Sequence, residues 1–539
     1  MKLIETQSYR KLRGGFYTPR EIADFILQWA INGGGGCEIL EPSAGDGVFL
    51  ERIKENNHMY SSITAVEIDE VEAEKIKQIP LKNTAVLNMD FHTFCNSSPK
   101  KFDLIVGNPP YIRYQYFDRD QQEEAGKIFR RVKLKYSKLT NAWVSFVVGS
   151  AILLKESGKI GFVLPAEILQ VSYARPLREF IASFFNKINI ISFKQLVFPE
   201  IQQEVVLLLC EKNLSNTHLI EHIELDDIKS LKQLEVNRLK SPSKKIDFRS
   251  NKWTFYFLEQ KEIDFLEEIS KENSIPLIGD YANVEVGITT GANAFFTVPA
   301  DTVEEFELEA YTGTLVGRSV QVNSLRFKKE DWQRNVISGA RAYLLVFPGM
   351  AELKKNKKAL EYLQLGERDD IHKGYKCRIR DEWQIVPSLW VPDAFFLRRN
   401  NHYPKLIINE AGAYSTDTMH RLRLKSSVKH DALAASFYNS LSFAYAEISG
   451  RSYGGGVLEI MPGEVEKIRL PYKEQNALLA DEIDKMMRKK YSIHEILAYT
   501  NNVILKKGYG FSEAEIKISG DIWKKLSSRR LNRGKKTVK

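Results

Sequence analysis

An α/β fold on a mostly parallel sheet, followed by a mixed α+β domain, is the architecture the sequence predicts, and three observations predict it. Apolar strand-like runs alternate with helical patterns through the first 210 residues, as βαβ units do. That rhythm stops at a polar, basic, linker-like stretch, Ser241 to Ser250, and shorter strands richer in aromatic residues and glycine come after it from Ile275 to Pro471. The length, 539 residues, exceeds what one ordinary core serves and suggests about two to four domains.

Each element has its own signal. Ile22, Phe25, Ile26 and Trp29 recur at helical spacing within Glu21–Ala30. The glycines Gly33–Gly36 form a short link to a first strand, Cys37–Leu40. A helix starts at Val48, and Ile63–Val66, Ala85–Leu87 and Leu104–Val106 are the next strands. Ala142–Lys155 is a strongly apolar helix, and Lys159–Leu164 and Val205–Cys210 are further strands. Helical patterning returns from Lys473 to Leu505. The expected boundaries are 1–245 for the first domain, 270–472 for the second and 473–539 for a helical extension with a basic tail.

Composition narrows the class. Hydrophobic residues make up 43% and charged residues 27%, ordinary values for a globular protein. No apolar run reaches the roughly 20 residues of a membrane span, and Met1–Arg13 has charge without the apolar core of a secretory signal. The cysteines Cys37, Cys95, Cys210 and Cys377 are too scattered for a disulfide framework or a zinc site. No metal and a reducing, cytoplasmic setting are therefore expected. The net charge of +9 suits a polyanionic partner. Eight basic and no acidic residues lie between Lys524 and Lys539, a run that reads equally as a solvated tail or a phosphate contact.

Asp103-Leu-Ile-Val-Gly-Asn-Pro-Pro-Tyr111 is the most informative stretch. A buried strand ends, Gly107 frees the backbone, and Pro109 and Pro110 stiffen the turn after it. Asn108 and Tyr111 are thereby held together at a strand end, where open α/β sheets bind ligands. An amide oxygen, a rigid carbonyl and a flat ring suit a planar group with an exocyclic amine, such as adenine. Three further strand ends carry acids. Glu41-Pro-Ser-Ala-Gly-Asp-Gly47 joins the first strand to a helix. Its glycines allow a tight turn, and its carboxylate suits a cationic or hydroxyl-rich ligand better than a pyrophosphate. Glu67 ends the second strand, where a ribose diol is usually held. Asp90-Phe91 comes after the third, an acceptor beside a ring. Each alone also reads as an ordinary turn, a solvated acid or a core aromatic.

Taken together the set resembles the class I S-adenosylmethionine-dependent methyltransferases. Its block order resembles the gamma group of N6-adenine DNA methyltransferases from type II restriction–modification systems. The block Gly15-Phe-Tyr-Thr-Pro19 comes first, then the glycine loop, the ribose acid and the Asn-Pro-Pro-Tyr block. The resemblance implies a Rossmann-like domain with a mostly parallel seven-stranded sheet, S-adenosyl-L-methionine as cofactor, and double-stranded DNA as partner. It also implies a separately encoded restriction endonuclease as a further partner. It implies that Thr18, Glu41, Ser43, Gly45, Glu67, Asp90 and Phe91 surround the cofactor. Asn108 and the Pro109 carbonyl would accept the amine hydrogens, with Pro110 in the same stiff turn, and Tyr111 would stack on the base. Phe198, in Val197-Phe-Pro199, would stack on its other face or else pack as core.

The second domain then reads as a target-recognition module. Gly287–Asn293, Tyr311–Arg318, Arg398–Asn401 and Arg451–Gly456 supply small residues, Arg and Asn, the side chains that read base edges. Each alone is more simply a surface loop. The Asn-Pro-Pro-Tyr block is shared with protein-glutamine N5-methyltransferases, and an RNA N6-adenine methyltransferase also fits. A cytosine-C5 enzyme does not, since no cysteine follows a proline here.

Overall fold

The computed structural model describes residues 17–31, 36–112, 116–136, 140–198, 204–213, 215–235, 239, 244–246, 252–272, 275–453 and 456–532. Gly15, Phe16, Gly33–Gly35, Pro199, most of 241–250, Gly454, Gly455 and the tail from Arg533 lie outside them. Two compact units divide the chain, the first extending to Ile263 and the second spanning Asp264–Asn532.

In the first unit, helix α1 (Arg20–Ala30) precedes strand β1 (Cys37–Glu41). Then come α2 (Val48–Glu55), β2 (Tyr60–Glu67), α3 (Glu70–Lys77), β3 (Thr84–Asn88), α4 (Phe91–Ser97) and β4 (Phe102–Gly107). After α5 (Arg119–Arg131) and α6 (Trp143–Leu153) run β5 (Leu154–Pro165), α7 (Arg175–Phe184), β6 (Lys187–Phe193), β7 (Val205–Glu211), β8 (Leu219–Leu225) and β9 (Lys244–Lys245). These strands form one sheet in the order β3-β2-β1-β4-β5-β7-β6-β8-β9. Strands β1 to β5 pair in parallel, and β7 runs antiparallel to both β5 and β6.

Among the described residues the sheet therefore has nine strands rather than the expected seven. The added pair is β8, parallel to β6, and the short β9. Leu219-Ile-Glu-His-Ile-Glu-Leu225 mixes polar and apolar residues without a continuous apolar run, so buried-run reasoning passes over it. Part of the expected 241–250 linker is thus a strand. Lys244 is buried there, and its Nζ meets the Tyr256 carbonyl at 2.8 Å and Glu221 at 3.3 Å.

Packing obeys the sequence pattern. The apolar face of α1 lies on the sheet where β5 has no side chain: a Cβ at Gly161 would stand 2.5 Å from Ile26 Cγ2. On α6, Trp143–Ala151 is buried without interruption, as expected of a helix apolar all round.

Among its described residues the second unit holds three small sheets. The largest orders Ala282–Val286, Met419–Leu424, Ala394–Leu397, Leu406–Asn409 and Arg326–Phe327. A four-stranded sheet contains Thr312–Val316 and Tyr414–Ser415, and a three-stranded one joins Arg399–Asn400, Val457–Glu459 and Arg451–Tyr453. Arg326 anchors the helix Ala480–Arg488 to the first sheet through Asp481 at 3.0 Å, and also meets Asp431 at 2.8 Å.

Candidate active site

The sheet order sets four sequence-distant residues side by side. Glu67 ends β2, Glu41 ends β1, Asn108 follows β4, and Asp90 stands two residues beyond β3. Because β3, β2, β1 and β4 are consecutive neighbours in that order, Asp90, Glu67, Glu41 and Asn108 line one C-terminal edge.

The glycine loop folds back onto this edge. Gly45 and Gly47 take left-handed φ values of +55° and +80°, which glycine adopts without strain. The turn lets the Gly45 N–H donate to Glu67 Oε2 at 2.7 Å. The Asp69 N–H donates to Glu67 Oε1 at 2.8 Å. Burial raises the Glu67 pKa, and these two backbone donors oppose the rise. Both oxygens are thus aimed, and each retains lone-pair capacity for a ligand hydroxyl. Glu41 is 2% exposed, and its Oε2 has no hydrogen-bond partner among the described residues. Burial first, then the nearby charges of Asp46 and Glu67, push its pKa well above the usual carboxylate range. Buried carboxylates without partners are rare and costly. A cationic amino group, such as the one S-adenosyl-L-methionine carries, fits that donor-seeking oxygen.

Asp90 caps α4 by accepting from the Thr93 N–H at 3.0 Å. Phe91 is buried, its ring stacked on Phe146 at 4.8 Å. Thr18 is buried just ahead of α1. Ser43 Oγ donates to the Asn108 carbonyl at 3.3 Å, which joins the glycine loop to the Asn-Pro-Pro-Tyr corner.

At that corner Pro109 is buried, whereas Asn108, Pro110 and Tyr111 are half-buried. The Tyr111 hydroxyl lies 2.7 Å from Asn108 Oδ1 and 3.1 Å from the Val163 carbonyl on β5. Burial raises its phenol pKa well above the ordinary value. The phenol thus fixes the amide, and an amide oxygen with two lone pairs can accept a second donor. Phe198 and Tyr111 are both half-buried against the same apolar cluster.

In the second unit, three of the four named loops have their cations or amides committed. Arg398 and Arg399 meet Glu459 at 2.9 and 3.4 Å, and Arg451 meets Glu464 at 3.2 Å. Asn400 is buried and bonds the Leu397 carbonyl at 2.7 Å, so it holds its own turn rather than offering donors outward. Gly287–Asn293, Tyr311–Arg318 and Arg398 meet at a turn that the sequence reading missed, Thr416-Asp417-Thr418. The Ile288 N–H reaches the Ser415 carbonyl at 2.8 Å, and Asn293 Nδ2 reaches Asp417 Oδ1 at 3.2 Å. Thr418 Oγ1 donates to the Gly317 carbonyl at 2.9 Å, next to exposed Arg318. A Cβ at Gly287 would stand 2.0 Å from the Thr416 carbonyl, so only glycine permits this approach. The Ser415-Thr-Asp-Thr418 polar run between two strands was the available signal. The Val163 carbonyl, a backbone group, left none.

Two family models match the chain. The Eco57I restriction-modification methylase model matches residues 43–198, and the model of the type II methyltransferase M.Eco57I C-terminal domain matches residues 250–505. The type II methyltransferase M.AccI of Acinetobacter calcoaceticus is 25% identical over 525 residues, spanning 90% of this chain and 94% of that protein. M.BstVI of Geobacillus stearothermophilus is 22% identical over 96% of this chain and all of its own length. M.HincII of Haemophilus influenzae is 28% identical over 40% of this chain and 42% of that protein. Among solved structures, the DrdV–DNA complex is similar at 13% identity and a TM-score of 0.48, covering 89% of this chain and 58% of that one.

Proposed function

We propose that this chain, which belongs to the type II restriction–modification methyltransferases, methylates the N6 amino group of adenine in double-stranded DNA, on a base turned out of the helix. It is an S-adenosyl-L-methionine-dependent DNA methyltransferase; the adenine, its amino nitrogen and the extrusion of the base are the finer reading. One observation carries it. Asn108 leaves β4 on a proline-stiffened chain, on the same edge as Glu41, Glu67 and Asp90, with its Oδ1 held by Tyr111.

The cofactor supplies a methyl group on a positively charged sulfur. The rest of the work belongs to the protein. An aryl amine is a poor nucleophile because its lone pair is delocalised into the ring. Asn108 Oδ1 and the Pro109 carbonyl accept its two hydrogens, bias the nitrogen towards sp³ and point the freed pair at the methyl. Orientation of this kind is worth roughly 7–11 kcal/mol. No strong base is needed before transfer, because the product ammonium is acidic. Extruding the base costs a few kcal/mol, and stacking on Tyr111 and Phe198, about 1–3 kcal/mol per base, offsets much of it. On the cofactor side, Glu41 takes the amino group, Glu67 the ribose hydroxyls and Asp90 the adenine amine. Thr18, Ser43, Gly45 and Phe91 complete the surround.

Residues 270–472, within the second unit, are the target-recognition part in this reading, with the Thr416–Thr418 turn and Arg318 at its reading edge. A separately encoded restriction endonuclease would cut the same sites when they are unmethylated. Among the described residues no helix is long and apolar enough to cross a membrane, and work on DNA places the enzyme in the bacterial cytoplasm.

The test supplies methyl-labelled S-adenosyl-L-methionine to the purified chain with duplex DNA, RNA or a protein extract. Label in duplex DNA is the expected result. Label in RNA or protein, with none in DNA, overturns the reading.

A further inference from the structure

Asp90 is held by more than its helix. Its Oδ1 takes the Thr93 N–H, whereas Oδ2 faces His92 Nδ1 at 3.2 Å and Gln121 Nε2 at 3.5 Å. His92 is 0% exposed, and its other ring nitrogen, Nε2, lies 2.8 Å from Ser145 Oγ on α6. Phe146 and Phe117 close around the imidazole edge-on, at centroid distances of 5.0 and 5.3 Å. A packing role alone would be met more cheaply by an apolar side chain, since a buried polar ring is costly unless both its nitrogens are bonded. Here both have a partner. The hydrogen bond to His92 holds the Asp90 carboxyl below the usual carboxylate range, against the opposing effect of burial. The path continues beyond Ser145: at the entrance of the same helix the Ala142 N–H donates to the Ile112 carbonyl at 2.7 Å, one residue past Tyr111.

We propose that His92 is a positioning residue for cofactor recognition: through Nδ1 it turns Asp90 Oδ2 towards the amino group of a purine, and through Ser145 it joins that carboxylate to the segment carrying Tyr111. The inference rests on the reading of Asp90 as acceptor of the cofactor's adenine amine. An Nδ1–H donated to Asp90 fixes the tautomer; Nε2 then shares the Ser145 hydroxyl with the Ala142 carbonyl, each 2.8 Å from Oγ. Without His92, Oδ1 stays pinned by the helix cap, but Oδ2 keeps, among the described residues, Gln121 alone, at the outer limit of a hydrogen bond.

The test compares two ligands by calorimetry on the full chain. S-adenosyl-L-homocysteine carries the 6-amino group; S-inosyl-L-homocysteine carries a 6-oxo group in its place. The wild type should prefer the adenosyl ligand. His92→Gln should weaken adenosyl binding about tenfold, or about 1.4 kcal/mol, and leave inosyl binding within about twofold. Ser145→Ala should shift the same preference in the same direction by a smaller factor, and it carries the test alone if His92→Gln fails to fold. Equal weakening of both ligands would reduce His92 to a packing role and overturn the proposal, as would an unchanged adenosyl preference in both variants. Equal binding of the two ligands by the wild type would instead remove the Asp90 reading itself, a result visible before any substitution is made.

Discussion

Replacing Glu41 by Gln should make the ligand-free protein no less stable and the cofactor complex weaker, and this opposite pair of effects identifies a binding residue. Glu41 ends β1 almost without exposure, and its Oε2 is unbonded among the described residues. Burial, then Asp46 and Glu67, raise its pKa well above the ordinary range. A carboxyl raised in the folded state contributes stability that is fully present below the unfolded pKa and is lost as pH rises through the folded one. Above that raised value the free protein therefore carries a buried charge that opposes folding, and Gln removes that charge. Its melting temperature there should hold or rise, by about 2–4 °C for each kcal/mol relieved. The ligand's amino group loses a charge-assisted hydrogen bond worth about 1.5–3 kcal/mol, so affinity for S-adenosyl-L-homocysteine should fall roughly 10- to 150-fold. In the wild type, binding must expel the extra proton, so affinity should drop up to about tenfold per unit as pH falls below the raised value. Titration calorimetry from about pH 5.5 to 8.5, with thermal melts of the free protein, reads all three quantities. Wild-type affinity in the variant refutes the assignment. So does a loss of affinity that tracks a fall in melting temperature, which would make Glu41 a structural group.

Asn108→Ala should abolish methyl transfer yet keep cofactor affinity within about threefold, because Ser43 bonds the residue 108 backbone rather than its side chain; calorimetry beside a methyl-incorporation assay checks the split. Tyr111→Phe keeps the ring and loses the hydroxyl bonds to Asn108 and Val163, so kcat/KM should fall about tenfold by the loss of one ordinary hydrogen bond. Tyr111→Ala should fall further, by roughly another 5- to 150-fold for stacking, mostly as weaker DNA binding. The basic C-terminus should divide in two. Arg530 is 1% exposed and paired with Glu447 at 2.7 Å, so Arg530→Ala should cost about 3–5 kcal/mol in a denaturant titration by stranding a buried acid. Ending the chain after Asn532 should lower the slope of log Kd against log salt by about 0.9 for each phosphate contact removed; an unchanged slope makes those residues bystanders.

Much of the candidate site in the first unit was legible because its residues sit at strand ends. A buried apolar run such as Leu104-Ile-Val106 announces the strand, and the next two or three residues are then at the sheet edge whatever the partners turn out to be. Glu41, Glu67, Asp90 and Asn108 were placed on this logic, and the sheet order brings them together. Partners that are far away in sequence or belong to the backbone gave no such sign. The Val163 carbonyl that anchors Tyr111 and the β8 strand beyond β6 depend on pairings no local pattern specifies. In the second unit, residue type misled. Asn400 and Arg398 look like base readers in sequence, yet one closes its own turn and the other is paired with Glu459. The Thr416–Thr418 turn, where Gly287–Asn293, Tyr311–Arg318 and Arg398 meet, is built of residues too ordinary to single out.

Mass spectrometry of nucleosides from a methylation-free bacterial host expressing the chain tests the central claim most directly, with Asn108→Ala as its paired control. The account predicts N6-methyldeoxyadenosine from the wild type and none from the variant. Methylated cytosine in place of methylated adenine, or equal methyladenine from both proteins, would contradict it.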